Sequence, residues 1–152
     1  MRIIQMTRKC VGTRKFPYNA DKTKSYHWTY VLRHPKGDKI AEGMELALKT
    51  KSKIKYDNGS KSTQLYTIMK PLKWDMSKLT KTAYVNCCVI VSIACRYAGI
   101  KTPKKCSSRT MYKQWKKYGF EIIPYKKGMK LKRGDILTCT TQEHPHTAVV
   151  KC

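Results

Sequence analysis

Two residues carry the types and positions that nucleophilic chemistry requires. Cys87 directly follows Asn86, a residue able to cap a helix through its side-chain oxygen. Behind it Ile90, Ala94 and Ala98 recur at helical spacing with Val91 beside them, and Gly99 and Pro103 mark the end. The spacing predicts a helix over residues 86–98 with Cys87 in its first turn. Free backbone N–H groups and the helix dipole stabilise a thiolate there. His146 opens the apolar run His146-Thr147-Ala148-Val149-Val150 after a polar turn, so a strand starting there could present its imidazole to the helix end. A thiol at a helix N-terminus opposed by a sheet histidine suits acyl transfer, the histidine taking the thiol proton and passing it to a leaving amine. On residue types alone a second reading stands beside it, because a buried cysteine is most often a small packing residue.

The elements around these residues follow from the same patterns. Tyr26, Trp28 and Tyr30 alternate with His27 and Thr29 as in a short strand, and Pro35-Lys36-Gly37-Asp38 signals a turn. Residues 39–50 place Ile40, Met44, Ala47 and Leu48 on one helical stripe. Residues 56–60 read as a loop, 61–70 as a short helix stopped by Pro71, and 110–118 as a helix closed by Gly119. Ile122-Ile123 suggests a strand, and a Gly134-Asp135 turn leads into the strand Ile136 to Cys139. The Asp of that turn is expected to hold backbone N–H groups rather than to catalyse. Lys49, Lys51, Lys53 and Lys55 alternate as on one face of an extended segment. Helices followed by strands point to an α+β domain.

Composition narrows the function. The chain has 152 residues, 33 Lys and Arg against 9 Asp and Glu, and a net charge of +24. Hydrophobic residues at 41 % are too many for a disordered chain, yet no stretch approaches the ~20 apolar residues of a membrane span. The first seven residues lack the apolar region of a signal peptide. Basic residues number 18 against 6 acidic in 1–80 and 15 against 3 in 81–152, net +12 in each part, so the whole surface is basic. The two longest stretches free of Lys and Arg, 82–95 and 134–150, are the ones that contain Cys87 and His146. The seven cysteines, an odd number, form no CxxC pair and no zinc-site spacing, and a disulfide framework is not expected in a 152-residue chain without a secretion signal. No metal or cofactor is called for. Cys95 and Cys139 are expected to be buried packing residues, while Cys10, Cys106 and Cys152 receive no role. Trp74 and Trp115 are expected in the core or as groove walls.

Tyr84 to Val91, followed by Ala94-Cys95-Arg96-Tyr97-Ala98-Gly99-Ile100, resembles the nucleophile segment of NlpC/P60-type cysteine peptidases. Leu131 to Leu137 and the His146 strand are similar to that family's Gly-Asp and histidine strands, and the order of segments agrees. The resemblance covers about residues 40–152 and is strongest to phage and prophage lysin-like members. It implies a papain-like fold, in which a helix bearing the cysteine at its N-terminus packs on an antiparallel sheet. It further implies Cys87 as nucleophile, His146 as general base and acid, and an oxyanion hole from the backbone N–H groups of Cys87 and Cys88. Asn86 stands where the family has Asp, and Cys88 where it has Ser, so two thiols adjoin. The family orients its histidine with a polar residue on the following strand, and here either a dyad suffices, another residue orients His146, or the chain is truncated or inactive. His144 is read as a loop residue because Pro145 separates it from the strand. On this reading residues 1–38 are a basic N-terminal extension and 39–152 the peptidase core of a single domain.

Three functions compete. The first is an endolysin-like cysteine hydrolase that cleaves amide bonds of peptidoglycan, endopeptidase or amidase. Its charge would concentrate it on anionic cell-wall polymers. It would be made in the cytoplasm without a signal peptide and reach the bacterial wall by phage-type release or on a virion. The second is a papain-like effector acting on a host protein, or an inactive relative that only binds. The third is a nucleic-acid-binding protein, carried by charge alone and without a recognisable nucleic-acid motif.

Overall fold

The computed structural model describes residues 1–15, 28–141 and 145–152. The readings made for Tyr26, His27 and His144 lie outside these residues. The described residues form a mixed α+β architecture with a six-stranded sheet in the order β2-β1-β8-β7-β3-β6. Its strands are β1 (Arg2–Met6), β2 (Val11–Lys15), β3 (Tyr30–Arg33), β6 (Glu121–Pro124), β7 (Ile136–Cys139) and β8 (His146–Val150). Each neighbouring pair runs antiparallel. A short parallel pair, β4 (Ile54–Tyr56) and β5 (Ala83–Val85), stands apart from it.

Four helices accompany the strands: α1 (Gly37–Leu48), α2 (Gln64–Met69), α3 (Cys87–Tyr97) and α4 (Met111–Gln114). The helix α3 forms as its sequence predicts. The Asn86 side chain accepts from the Val89 N–H at 2.9 Å, and Gly99 takes the left-handed conformation, φ +85°, that ends it. Residues 87–95 of α3 are all buried, so the helix is central. Gly43 of α1 lets the two helices close up, since a Cβ there would stand 3.0 Å from the Ala94 backbone. Ile40, Met44, Ile90, Ile93 and Ala94 join Ile4, Leu32, Ile136 and Val149 of the sheet in the main core.

The opposite face of the sheet holds a second, smaller cluster of Ile3, Val31, Leu137, Cys139, Ala148 and Val150 with Trp28 and Leu131. Strands buried on both faces read as continuous apolar runs rather than as alternation. This is why β8, with all five residues buried, gives no sign of its orientation in the sequence.

Three expectations are corrected. Residues 1–38 are not an appendage: β1 lies between β2 and β8, with Ile3, Ile4 and Met6 fully buried, and β3 lies between β6 and β7. Strands therefore precede the helices as well as follow them. The Lys49 to Lys55 alternation is not one extended face, because the chain turns through a short 3-10 helix at Lys51–Lys53 before β4 begins. The strand expected around Tyr26 to Tyr30 is β3, Tyr30–Arg33, and begins only at its last residue, while the 110–118 helix is α4 continued by a 3-10 turn, Trp115–Tyr118, up to Gly119 at φ +94°. Asp135 accepts from the Lys132 N–H at 2.7 Å and binds Arg33 through both oxygens, which pins the turn before β7 to β3.

Candidate active site

The end of α3 at Cys87 meets the sheet at the start of β8. Cys87 is the first helical residue, and helix geometry leaves its own N–H and that of Cys88 without an acceptor inside the helix. Its thiol is buried and lies 3.5 Å from the Ser108 hydroxyl, which stands 2.6 Å from the Thr147 hydroxyl. Thr147 in turn donates to the Met111 sulfur at 3.3 Å. A short polar chain thus runs from the helix end through the segment before α4 to β8.

Burial, the larger influence, and the neighbouring Cys88 thiol push the Cys87 thiol up to about 11, against the pull of Ser108 and the backbone N–H groups of Thr147 and Cys87 itself. The thiol is therefore protonated at neutral pH. The sequence led us to expect the reverse, a lowered value from the helix end. Desolvation outweighs the dipole here because the sulfur is enclosed between helix and sheet.

Cys88 points elsewhere. One residue along a helix is a rotation of ~100°, and its sulfur donates to the Cys106 carbonyl at 2.9 Å and to the Asn86 side chain at 3.3 Å. The Cys106 thiol first, and burial second, push the Cys88 thiol well above its ordinary value. Tyr56 lies near both thiols. Its backbone pairs with Val85 in register, two residues before Cys87. Burial first, and then the nearby thiols, push its hydroxyl up against the opposing pull of Arg8 from the β1–β2 turn.

His146 is not brought to Cys87. In register it lies opposite Cys139, and Thr147 lies opposite Thr138. Cross-strand partners share a face, and successive residues alternate between faces. Cys139, Ala148 and Val150 belong to the cluster on the face away from the helices, whereas Val149 belongs to the helix-side core. His146 accordingly faces outward with Cys139, and Thr147 takes the position that the sequence reading gave to the histidine. The His146 ring lies 2.7 Å from the Gln5 side-chain oxygen through Nε2, and 6.0 Å from the Trp28 ring. Burial pushes its pKa down to about 4, so the imidazole is neutral at pH 7. The pleat sets His146 and Thr147 on opposite faces of the sheet, because one residue of register decides the face.

Ser108, Thr147, Tyr56 and Arg8 escaped the sequence reading. Thr147 alone had a signal, as the next residue of the same strand. The other three come to Cys87 from distant segments without a local motif. Among the described residues no group of three or more Cys, His, Asp or Glu side chains is arranged to hold a metal ion.

The sequence of residues 12–151 matches the family described as an endolysin-like domain. That match does not single out NlpC/P60. No curated protein and no solved structure matches the chain.

Proposed function

Because the chain belongs to the endolysin-like domain family, a membership that points to a cell-wall lytic role, we propose that it is a cysteine hydrolase that cleaves amide bonds in peptidoglycan with Cys87 as its nucleophile. The observation that carries this reading is the Cys87 sulfur in the first turn of a central helix, with two backbone N–H groups beside it and Ser108 within reach. The thiol, once deprotonated, attacks the carbonyl carbon of the scissile amide. The N–H groups of Cys87 and Cys88 hold the oxyanion, the amine leaves with a proton, and water hydrolyses the thioester. The resemblance of the His146 strand to the histidine strand of NlpC/P60-type peptidases supports His146 as the base. From the outward position of His146 that step requires β8 to turn its first residue toward the helix side. The +24 charge draws the protein to anionic wall polymers. No helix among the described residues is long and apolar enough to cross a membrane.

The averted His146 and the protonated Cys87 thiol favour a second reading, a member that binds the wall without turning it over. Turbidity of purified cell walls separates the two. The hydrolase reading expects clearing by the wild type and none by Cys87→Ala at equal wall binding. Equal clearing by both removes Cys87 from the mechanism. Binding without clearing by the wild type establishes the second reading.

A further inference from the structure

The cysteines not used by the reaction are not scattered at random. Cys88 is buried in the first turn of α3, with its sulfur 2.9 Å from the Cys106 carbonyl oxygen. That contact bridges 18 residues of sequence, and the Cys106 side chain lies near enough to be the first influence on the Cys88 thiol. Cys106 is half-buried and, with Lys105, Asn86 and Ser62, lines a hollow of about 330 Å³ beside the helix end. One thiol of the pair can therefore be reached by a small oxidant, and the other waits behind it. Such a pairing of an accessible and a resolving cysteine is what disulfide formation through a sulfenic acid needs.

We propose that Cys88 and Cys106 form a disulfide when the protein meets a peroxide, a modification site that joins the first turn of α3 to the segment before α4. With peroxide, the Cys106 thiol is oxidised to a sulfenic acid as one water leaves. The Cys88 sulfur then attacks that sulfur, the S–S bond forms as the S–O bond breaks, and the hydroxyl departs with the Cys88 proton as a second water. The protein loses two hydrogens, and one peroxide becomes two waters.

Cys87 is excluded on two grounds. Its sulfur contacts Ser108 on the sheet side. A bond to Cys88 would span adjacent Cα atoms ~3.8 Å apart, below the usual disulfide range. The bond has two consequences. It fixes the segment that two residues later supplies Ser108 to Cys87, and it removes Cys88 as a rival thiol at the helix end. It also closes a loop of the unfolded chain, so the oxidised form melts higher than the reduced one. The site stands on the contact of the Cys88 sulfur with the Cys106 backbone and on the hollow that Cys106 lines, and does not depend on the hydrolase reading.

The test uses the full chain with Cys10→Ser and Cys152→Ser, which remove the two exposed thiols. After treatment with equimolar hydrogen peroxide, free thiols are alkylated and the digest is sequenced by fragmentation. The expected product has lost two hydrogens, joins Cys88 to Cys106, leaves Cys87 alkylated after unfolding, and reverts with dithiothreitol. Its melting temperature is several degrees above that of the reduced form. Adding Cys106→Ser, at a half-buried position that tolerates the change, abolishes the crosslink and the shift. A crosslink that includes Cys87, or oxidation of Cys106 to sulfinic acid with no crosslink, overturns the proposal.

Discussion

The two faces of the sheet at the start of β8 hold adjacent residues in opposite circumstances. On the helix face Thr147 joins a polar chain that ends at the Cys87 sulfur. On the outer face His146 is held by Gln5 beside Trp28. Both faces are buried here, and burial keeps each ionisable group uncharged, the thiol up at about 11 and the imidazole down to about 4. The same desolvation thus works against both halves of a cysteine–histidine pair. The contrast teaches that the right residue types in the right order are not sufficient, because a single step along a strand changes the face and therefore the partner.

Substitutions on the two faces should separate their roles. The largest effect is expected at Cys87, where Cys87→Ala lowers wall clearing by at least ~10³-fold while Cys88→Ala leaves it within a few-fold. Initial rates of turbidity loss measure both, and equal losses at the two positions would erase the distinction between them. His146→Ala comes next. It removes a buried ring and strands the Gln5 side chain, and is expected to lower stability by about 2–4 kcal/mol in urea titrations. Clearing that falls no further than the folded fraction would make His146 structural alone, whereas a much larger fall would show that it reaches Cys87 in the working state.

The pH dependence of stability offers a third comparison. The unfolded chain protonates His146 near its ordinary value of about 6.5, and the folded chain resists down to about 4. The contribution of the neutral imidazole is therefore complete above about pH 6.5 and is lost as the pH falls toward 4, on the order of 3 kcal/mol in all. Urea midpoints should fall more steeply over that window in the wild type than in His146→Gln. Parallel curves would mean that His146 is not held neutral by the fold. The smallest effect is at Ser108. Ser108→Ala is expected to cost about 1 kcal/mol. It should also slow alkylation of Cys87 at a fixed alkaline pH, because a hydrogen bond that lowers the thiol value is gone. Faster alkylation would show that Ser108 shields the sulfur instead.

Much of this was legible along the chain, and the failures share a cause. The helix α3 could be read from Asn86, Gly99 and the uncharged run between them, and β7 and β8 from their apolar stretches. These signals are local. The central position of β1 was hidden, because Arg2, Gln5 and the basic residues after Met6 look like a surface arm until β8 pairs with it more than 140 residues later. The facing of His146 was hidden because both sides of β8 are buried and each begins with one polar residue, so neither parity is favoured by composition. Ser108 was hidden because its bond to Thr147 spans 39 residues. The charge pattern helped in a way that survives. The two stretches that avoid Lys and Arg became the central helix and the central strands, which must lose water to pack.

The central claim is that Cys87 forms the covalent bond to substrate. The most direct measurement is mass spectrometry of the protein quenched in acid during turnover of a soluble peptidoglycan fragment. The account predicts an acyl group on Cys87, released by hydroxylamine as expected for a thioester and absent in Cys87→Ala. Turnover that proceeds with Cys87 unmodified, or with the acyl group on Cys88, would contradict it.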